Sequence, residues 1–258
     1  MEKFKNLQKR LTELSSFALA FSGGADSAFL LAVAKKIKPE NLIAITVSSQ
    51  FVLKSEIDFA KKNARSMGVQ HICLDMDILE YGNIVSNTLE RCYFCKKQMF
   101  ALIKQTAKKY GITTLIHGVN IDDLKDFRPG LKAAEELGFL SPLVDTKITK
   151  KEVRDFSRQM GLETWDKPSQ SCLATRIAYN EEITAQKLDA VNKAEIFLKM
   201  LGFVHVRVRS HGKIARIEVE PEQIAIILDK NIRQKISQQF IKLGFKNTSI
   251  DIDGYKVI

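Results

Sequence analysis

The stretch from Ser16 to Lys36, SFALAFSGGADSAFLLAVAKK, constrains the fold of this chain more than any other. FALAFS has the pattern of a buried strand, and the sequence resumes after it with Phe29, Leu30, Val33 and Ile37 at helical spacing. A membrane span is excluded here. It needs about 20 nearly uninterrupted apolar residues, and Ser22, Gly23, Gly24, Asp26 and Ser27 fall in the middle. SGGADS is therefore a loop joining a strand end to a helix start. Two adjacent glycines let backbone N–H groups approach an anion, the helix dipole adds partial positive charge, and Ser22 and Ser27 add hydroxyl donors. Phosphate is the natural ligand. The Lys of a Walker A sequence and the third Gly of a dinucleotide fingerprint are both missing. Asp26 would repel a phosphate unless it caps the helix or holds a Mg²⁺ ion; the plainer reading is a tight turn with Asp26 as N-cap.

From Phe17 to about Gly161, strand patterns (FALAFS, LIAITV, HICLDM, TLIHGV, FLSPLV) take turns with helical ones, and Gly68, Gly111, Gly138 and Gly161 close the helices. That alternation predicts a doubly wound α/β sheet of parallel strands with its ligand at their carboxyl ends. It stops near DKPSQSCLATRIAYNEE. Beyond lie a helix, a hairpin over VHVRVRSHGKIARIEVE, another helix and a last strand in TSIDIDGYKV. The expected organisation is an α/β domain over 1–176 and a small α+β domain over 177–258.

Composition agrees with a compact chain: 258 residues, 45% hydrophobic and 27% charged. The N-terminus lacks the apolar core of a signal peptide, so a cytoplasmic location is expected. There the four cysteines read as ligands, nucleophiles or core filler rather than disulfides. A net charge of +10 points to anionic partners such as nucleotides, phosphorylated metabolites or RNA. The lysines are dispersed, however, and KKYG, DTKITKKEV and NIRQKISQQFIK read as solvated helix faces.

ERCYFCKK places Cys92 and Cys95 at i and i+3 where a helix begins, and SQSCLATR places Cys172 in the loop leaving the α/β domain. Three converging thiolates suit a cluster, or a metal with one open position. A zinc site would want a fourth ligand, His117 or Cys73, and Cys73 reads as strand core. A redox pair would leave Cys172 unexplained. HGVNIDDLKDFRPG follows the fourth strand and carries Asp122, Asp123, Asp126 and Arg128 to the sheet's carboxyl end, where carboxylates for a metal and a cation for phosphate are needed. The competing reading is an Asp-rich turn capping the helix near Pro129. On the hairpin, Arg207 and Arg209 share a face, and the bland reading pairs them with Glu218 and Glu220.

SGGADS resembles the PP-loop of ATP pyrophosphatases (SGGxDS), which cleave ATP between the α and β phosphates to adenylate a substrate. With RCYFCK, GVNIDDLKDFRPG and SCLATRI following in that order, nearly the whole chain is similar to the LarE-type ATP-dependent sulfur transferases, which help make the nickel-pincer nucleotide cofactor. The resemblance implies a PP-loop, Rossmann-like fold using ATP and Mg²⁺. It implies adenylation of a carboxylate of pyridinium-3,5-biscarboxylic acid mononucleotide, then sulfur delivery to give a thiocarboxylate. Ser22, Gly23, Gly24, Asp26, Ser27, Asp122 and Asp126 would bind the nucleotide, with Asp26, Arg128 and Cys172 in catalytic roles. Arg176, Arg207 and Arg209 match positions that hold a substrate phosphate, and Glu195 is a candidate for metal or substrate.

In the single-cysteine branch of that family, the cysteine matching Cys172 is itself the sulfur donor and becomes dehydroalanine. This chain departs from that pattern in having Cys92 and Cys95 as well. The three-cysteine branch carries a [4Fe–4S] cluster whose fourth iron holds a labile sulfide, and that is the expected reading for Cys92, Cys95 and Cys172. A homo-oligomer, a hexamer, is also implied, while the sulfur supplier is not. The nearest rival is a PP-loop tRNA thiolase. With no added RNA-binding domain and no aromatic-basic interleaving, nucleic acid is not an expected partner, nor is a membrane. A sensor of adenine nucleotides is the non-enzymatic alternative, and it would release no pyrophosphate.

Overall fold

The computed structural model describes residues 2–37, 39, 41–125 and 128–256. In chain order its elements begin with α1 (Glu2–Glu13), β1 (Ser16–Ala20), α2 (Ala25–Ile37), β2 (Asn41–Ser48), α3 (Lys54–Ser66) and β3 (Gln70–Asp75). There follow α4 (Gly82–Val85), α5 (Arg91–Lys109), β4 (Leu115–His117), α6 (Pro129–Glu136), β5 (Phe139–Leu140), α7 (Pro142–Asp145) and α8 (Lys150–Gln159). The C-terminal part comprises α9 (Ala185–Met200), β6 (Val206–His211), β7 (Ile214–Val219), α10 (Ile224–Ile227), α11 (Lys230–Lys242) and β8 (Asn247–Ile250). The chain divides into two compact units, Met1–Asp77 with Cys92–Gln170, and Ile78–Arg91 with Ser171–Ile258.

The first unit is the expected doubly wound α/β fold. Among the described residues its sheet has five parallel strands in the order β3-β2-β1-β4-β5. A sheet covered on both faces needs apolar residues on both, and Phe17, Ala18 and Leu19 of β1 are each wholly buried. Helix α2 is buried almost all round, from Ala25 to Ala34 with Asp26 the exception. Phe29 stacks on Phe156 of α8 at 6.0 Å between ring centroids, and Phe4 of α1 lies 5.3 Å from Phe156. Full burial of a ring such as Phe29 stabilises the fold by about 1.5–3 kcal/mol. A capping box, Thr149 with Glu152, starts α8. Because the chain goes from β1 to β2 and β3 on one side and then to β4 and β5 on the other, the switch point lies between β1 and β4. Ligands of such sheets bind at that crevice, beyond the carboxyl ends.

The second unit is a small α+β fold. Strands β6 and β7 form the expected hairpin with Gly212 and Lys213 at its turn, and β8 joins β7 in parallel. Helix α9 buries Leu188, Val191, Ala194 and Leu198, and α11 buries Ile236 and Phe240. Residues 78–91 belong here and are tied in by hydrogen bonds. Asn87 Nδ2 donates to the carbonyls of Ile177 (3.3 Å) and Ala178 (2.7 Å), Ile183 N–H donates to Val85 O (2.8 Å), and Arg91 reaches Ala174 O (3.2 Å).

Candidate functional site

The glycine loop sits where the topology directs it, between the end of β1 and the start of α2. Gly23 has φ +70°, and a Cβ there would also lie 2.9 Å from the Cβ of Ala60 in α3, so both backbone and space require glycine. The end of β4 presses on the loop as well. A Cβ on Gly118 would stand 2.9 Å from the Ser27 nitrogen. Ser22 and Ser27 close the loop upon itself with hydroxyls 3.0 Å apart, and Ser22 Oγ accepts from Gly24 N–H at 3.3 Å. The first turn of α2 thus presents N–H groups lacking intrahelical partners at the crevice, an anion site by construction.

A network of charges surrounds the loop. Asp26 accepts from Asn120 Nδ2 (3.2 Å) on one oxygen and pairs with Lys150 Nζ on the other. Asn120 N–H in turn donates to Asp123 (3.0 Å), and Asp123 pairs with Arg128 at 2.7 Å. Burial raises the pKa of Asp123, with the nearby Asp26 charge adding to it, against the lowering effect of the Asn120 N–H and Arg128. Asp122 caps α8 rather than α6: its Oδ2 accepts from Lys150 N–H at 2.9 Å and its Oδ1 from Lys125 Nζ at 2.8 Å. These bonds hold its pKa down, that from Lys125 foremost. Asp126 lies outside the described residues.

Two cations of this site were not legible in the sequence. Lys150 stands in the stretch whose lysines read as solvated, yet it is the partner of Asp26. Lys167 donates to Gly23 O (3.3 Å) and to Glu56 (2.8 Å) and lies 3.8 Å from the centroid of the Phe59 ring. Arg154 fixes that segment by donating to the carbonyls of Trp165 (2.9 Å) and Lys167 (3.0 Å). The signal available was the placement of Lys167 just before Pro168, where the chain is stiff.

Cys92 and Cys95 occupy the first turn of α5, both half-buried, with Cys95 Sγ 3.7 Å from Met99 Sδ. Cys73 lies on β3, half-buried, and burial pushes its thiol up. His117 is a core residue. It bonds Ser141 Oγ at 2.7 Å, lies against Phe100 and Phe139, and burial lowers its pKa to about 4. Among the described residues no three His, Cys, Asp or Glu side chains are grouped as a bound metal requires. Cys92 and Cys95 belong to the first unit and Cys172 to the second. Magnesium would arrive with nucleotide phosphates and water and ask the protein for one or two carboxylates; Asp26 and Asp123 stand at the loop, held by Lys150 and Arg128.

In the second unit Cys172 is the N-cap of a 3₁₀ turn, Leu173–Arg176, and its carbonyl accepts from Thr175 Oγ1 (2.8 Å) and Arg176 Nη1 (3.3 Å). Arg176 is 2% exposed and grips Glu195 of α9 with two bonds, 2.8 and 3.3 Å. Glu195 Oε1 also accepts from Val208 N–H at 3.1 Å. That carboxylate is therefore fully engaged, and a metal there would have to displace Arg176. Arg209 pairs with Glu218 and donates to Thr175 O (2.9 Å). Arg207 is 3% exposed, stacks on Tyr255 at 4.6 Å, and donates only a long bond, 3.5 Å, to Lys256 O. No carboxylate among the described residues pairs with it. Burial lowers its pKa, and the neighbouring Arg176 and Arg209 charges push the same way. Arg176 and Arg209 pair with Glu195 and Glu218 beside the Cys172 turn, and Arg207, opposite Glu218 across the β6–β7 ladder, makes no ion pair among the described residues.

The parallel sheet, its switch-point glycine loop and the helix start behind it define a PP-loop ATP-binding protein. Residues 1–127 match the PP-loop domain family. The pyridinium-3,5-bisthiocarboxylic acid mononucleotide synthase of Lactiplantibacillus plantarum is 32% identical over 98% of this chain and 92% of its own. An uncharacterized Synechocystis protein is 40% identical over 98% of this chain and 95% of its own length, and one from Methanocaldococcus jannaschii is 30% identical over 98% and 96%. The chain belongs to the LarE-type branch of the PP-loop ATP pyrophosphatases and is an ATP-dependent sulfur transferase.

Proposed function

We propose that this enzyme uses ATP to adenylate a carboxylate of pyridinium-3,5-biscarboxylic acid mononucleotide, or a close relative, and replaces the carboxylate oxygen with sulfur. The observation that supports this reading is the buried Arg207, which has no ion pair among the described residues: a buried guanidinium without a bonded carboxylate can take an anion, and a mononucleotide supplies a phosphate. Arg209 assists, while Arg176 holds the turn in place. In the α/β unit the SGGADS loop takes the ATP phosphates, with Lys150, Lys167 and Arg128 as the nearby cations. Asp26 and Asp123 would hold magnesium, which supplies charge neutralisation on the pyrophosphate leaving group. The substrate carboxylate attacks the α-phosphorus, pyrophosphate departs, and a sulfur nucleophile then displaces AMP. We assign the nucleotide-activating role to residues 1–176 and substrate binding and assembly into a homo-oligomer to residues 177–258. No helix among the described residues is long and apolar enough to cross a membrane.

Cys172 is the sulfur-bearing residue in this reading, and the partners of Cys92 and Cys95 decide the mode of turnover. The cluster alternative rests on the resemblance and on the number of thiols. Two measurements test the proposal. Pyrophosphate release must depend on the mononucleotide dicarboxylate; release without it, or none with it, refutes the assignment. Iron and acid-labile sulfide on anaerobically purified protein, about four of each per site, mark a [4Fe–4S] cluster. No iron, with Cys172 losing the mass of hydrogen sulfide after one turnover, marks sacrificial donation.

A further inference from the structure

The second unit carries a groove of about 680 Å³ that the sulfur chemistry does not use. Its floor is apolar, formed by Ile217, Ile227, Ile236 and Ile250. One wall is a single stripe of α11, in which Lys230, Arg233, Gln234, Ser237 and Gln238 recur at helical spacing. The other wall is β8, the outer strand of its sheet.

Backbone geometry leaves that edge open. Asn247 N–H donates to Lys213 O and Asp251 N–H to Ile217 O, both on the β7 side of the strand. Backbone groups alternate in direction along a strand, so the N–H and C=O of Thr248 and Ile250 face away from β7, along the groove. The strand NTSI has neither Pro nor an inward charge to blunt it, and Thr248 and Ser249 are exposed.

The charge of the groove has one sign. Among the described residues Lys230, Arg233 and Lys246 line it without an ion pair, and no carboxylate lines it. The nearest acids are engaged elsewhere, Asp229 in capping α11 and Asp251 with Arg216 at 3.3 Å. Because the short turn 243–246 reverses the chain between α11 and β8, Lys246 marks one end of the groove and Lys230 with Arg233 the other. An open strand edge beside a parallel-lying helix is the arrangement that takes an extended peptide as an added strand, with main-chain bonds giving affinity and side-chain pockets giving choice.

We propose that this groove binds an extended acidic segment of a partner protein, which pairs with the free edge of β8, sets apolar side chains on the isoleucine floor and directs carboxylates to Lys246 at one end and Lys230 and Arg233 at the other. The proposal is independent of the sulfur-transfer assignment.

The test uses the full-length protein and an array of heptapeptides alternating Asp or Glu with Val, Ile or Thr, beside a matched array carrying Lys or Arg instead. Binding is read by fluorescence anisotropy and by amide hydrogen exchange. Acidic members are expected to bind and to slow exchange at Thr248 and Ile250. Charge reversal by Lys246→Glu with Arg233→Glu is expected to weaken them tenfold or more, and the milder Lys246→Gln with Arg233→Gln to weaken them less, at unchanged melting temperature. Thr248→Pro, which removes one outward N–H, should abolish the protection. The idea is overturned if no acidic member binds up to millimolar concentration, if the basic array binds equally, or if exchange at Thr248 and Ile250 does not slow. Concentration-dependent dimerisation that protects the same amides, or displacement of the peptide by inorganic phosphate alone at equal concentration, would assign the groove to a second copy or to a small anion and equally overturn it.

Discussion

Arg207 concentrates the opposed demands of folding and binding in one side chain. A buried guanidinium with no ion pair among the described residues destabilises the empty protein, because stacking on Tyr255 and a long bond to a carbonyl offset its desolvation only in part. Arg207→Met should therefore raise the melting temperature, by roughly 2–4 °C for each kcal/mol recovered. The same change should abolish saturable binding of the mononucleotide, measured by calorimetry. A fall in melting temperature, or retained binding, would mean that the arginine is structural. Lys167 makes a different prediction. It holds the Gly23 carbonyl and Glu56, so Lys167→Ala should raise the KM for ATP about tenfold, some 1.4 kcal/mol, in pyrophosphate release. Lys167→Arg should recover part of that loss, which simple destabilisation of the loop would not allow.

The glycine loop, four strands of the first sheet and the β6–β7 hairpin were legible in the sequence because each rests on local periodicity, whereas of FLSPLV only Phe139–Leu140 is strand and Pro142, at the first position of α7, turns the rest into helix. What escaped is what the tertiary fold decides. Lys150 opens α8 in a run of charges that reads as solvated, and only the return of that helix to the β1–β4 crevice sets it on Asp26. Asn87, at φ +58°, buries its amide against the carbonyls of Ile177 and Ala178, and nothing in residues 78–91 announces so distant a partner. At this scale β4 also makes a pH prediction. His117 at its end is neutral in the folded protein, with a pKa near 4, while the unfolded chain takes up the proton near 6.5. Below 6.5 the unfolded state binds more protons, so stability falls as pH drops from about 6.5 to 4, by up to about 3 kcal/mol, and is flat above. Urea melts of wild type and His117→Gln across pH 4–7 check it: the variant should lose most of that slope. An unchanged slope would place the acid sensitivity elsewhere.

For the molecule as a whole, the net charge of +10 and the two-unit architecture bear on the substrate. If the substrate is a mononucleotide, few phosphates are neutralised, and its apparent affinity should weaken only a few-fold between 50 and 200 mM salt. A macromolecular RNA substrate contacted at many phosphates would lose about 10³-fold or more. Pyrophosphate release titrated against substrate at the two salt concentrations separates these outcomes.

The chain passes between the two units at residues 77–78, 91–92 and 170–171, and that connectivity bears on how the protein is made. A ribosome delivers residues 78–91 long before residues 174–183, which accept or supply their hydrogen bonds. Until then the Asn87 amide and the Arg91 guanidinium lack these distant partners and have each other and water, and the nascent chain holds this stretch as an open tether inside the α/β unit. Gene fragments cut after Gln170 keep that tether and lose its destination. A fragment of this protein ending at Gln170 should therefore stay incomplete at residues 78–91 until the C-terminal segment is supplied in trans, and a single cut at the apparent boundary does not separate two finished units.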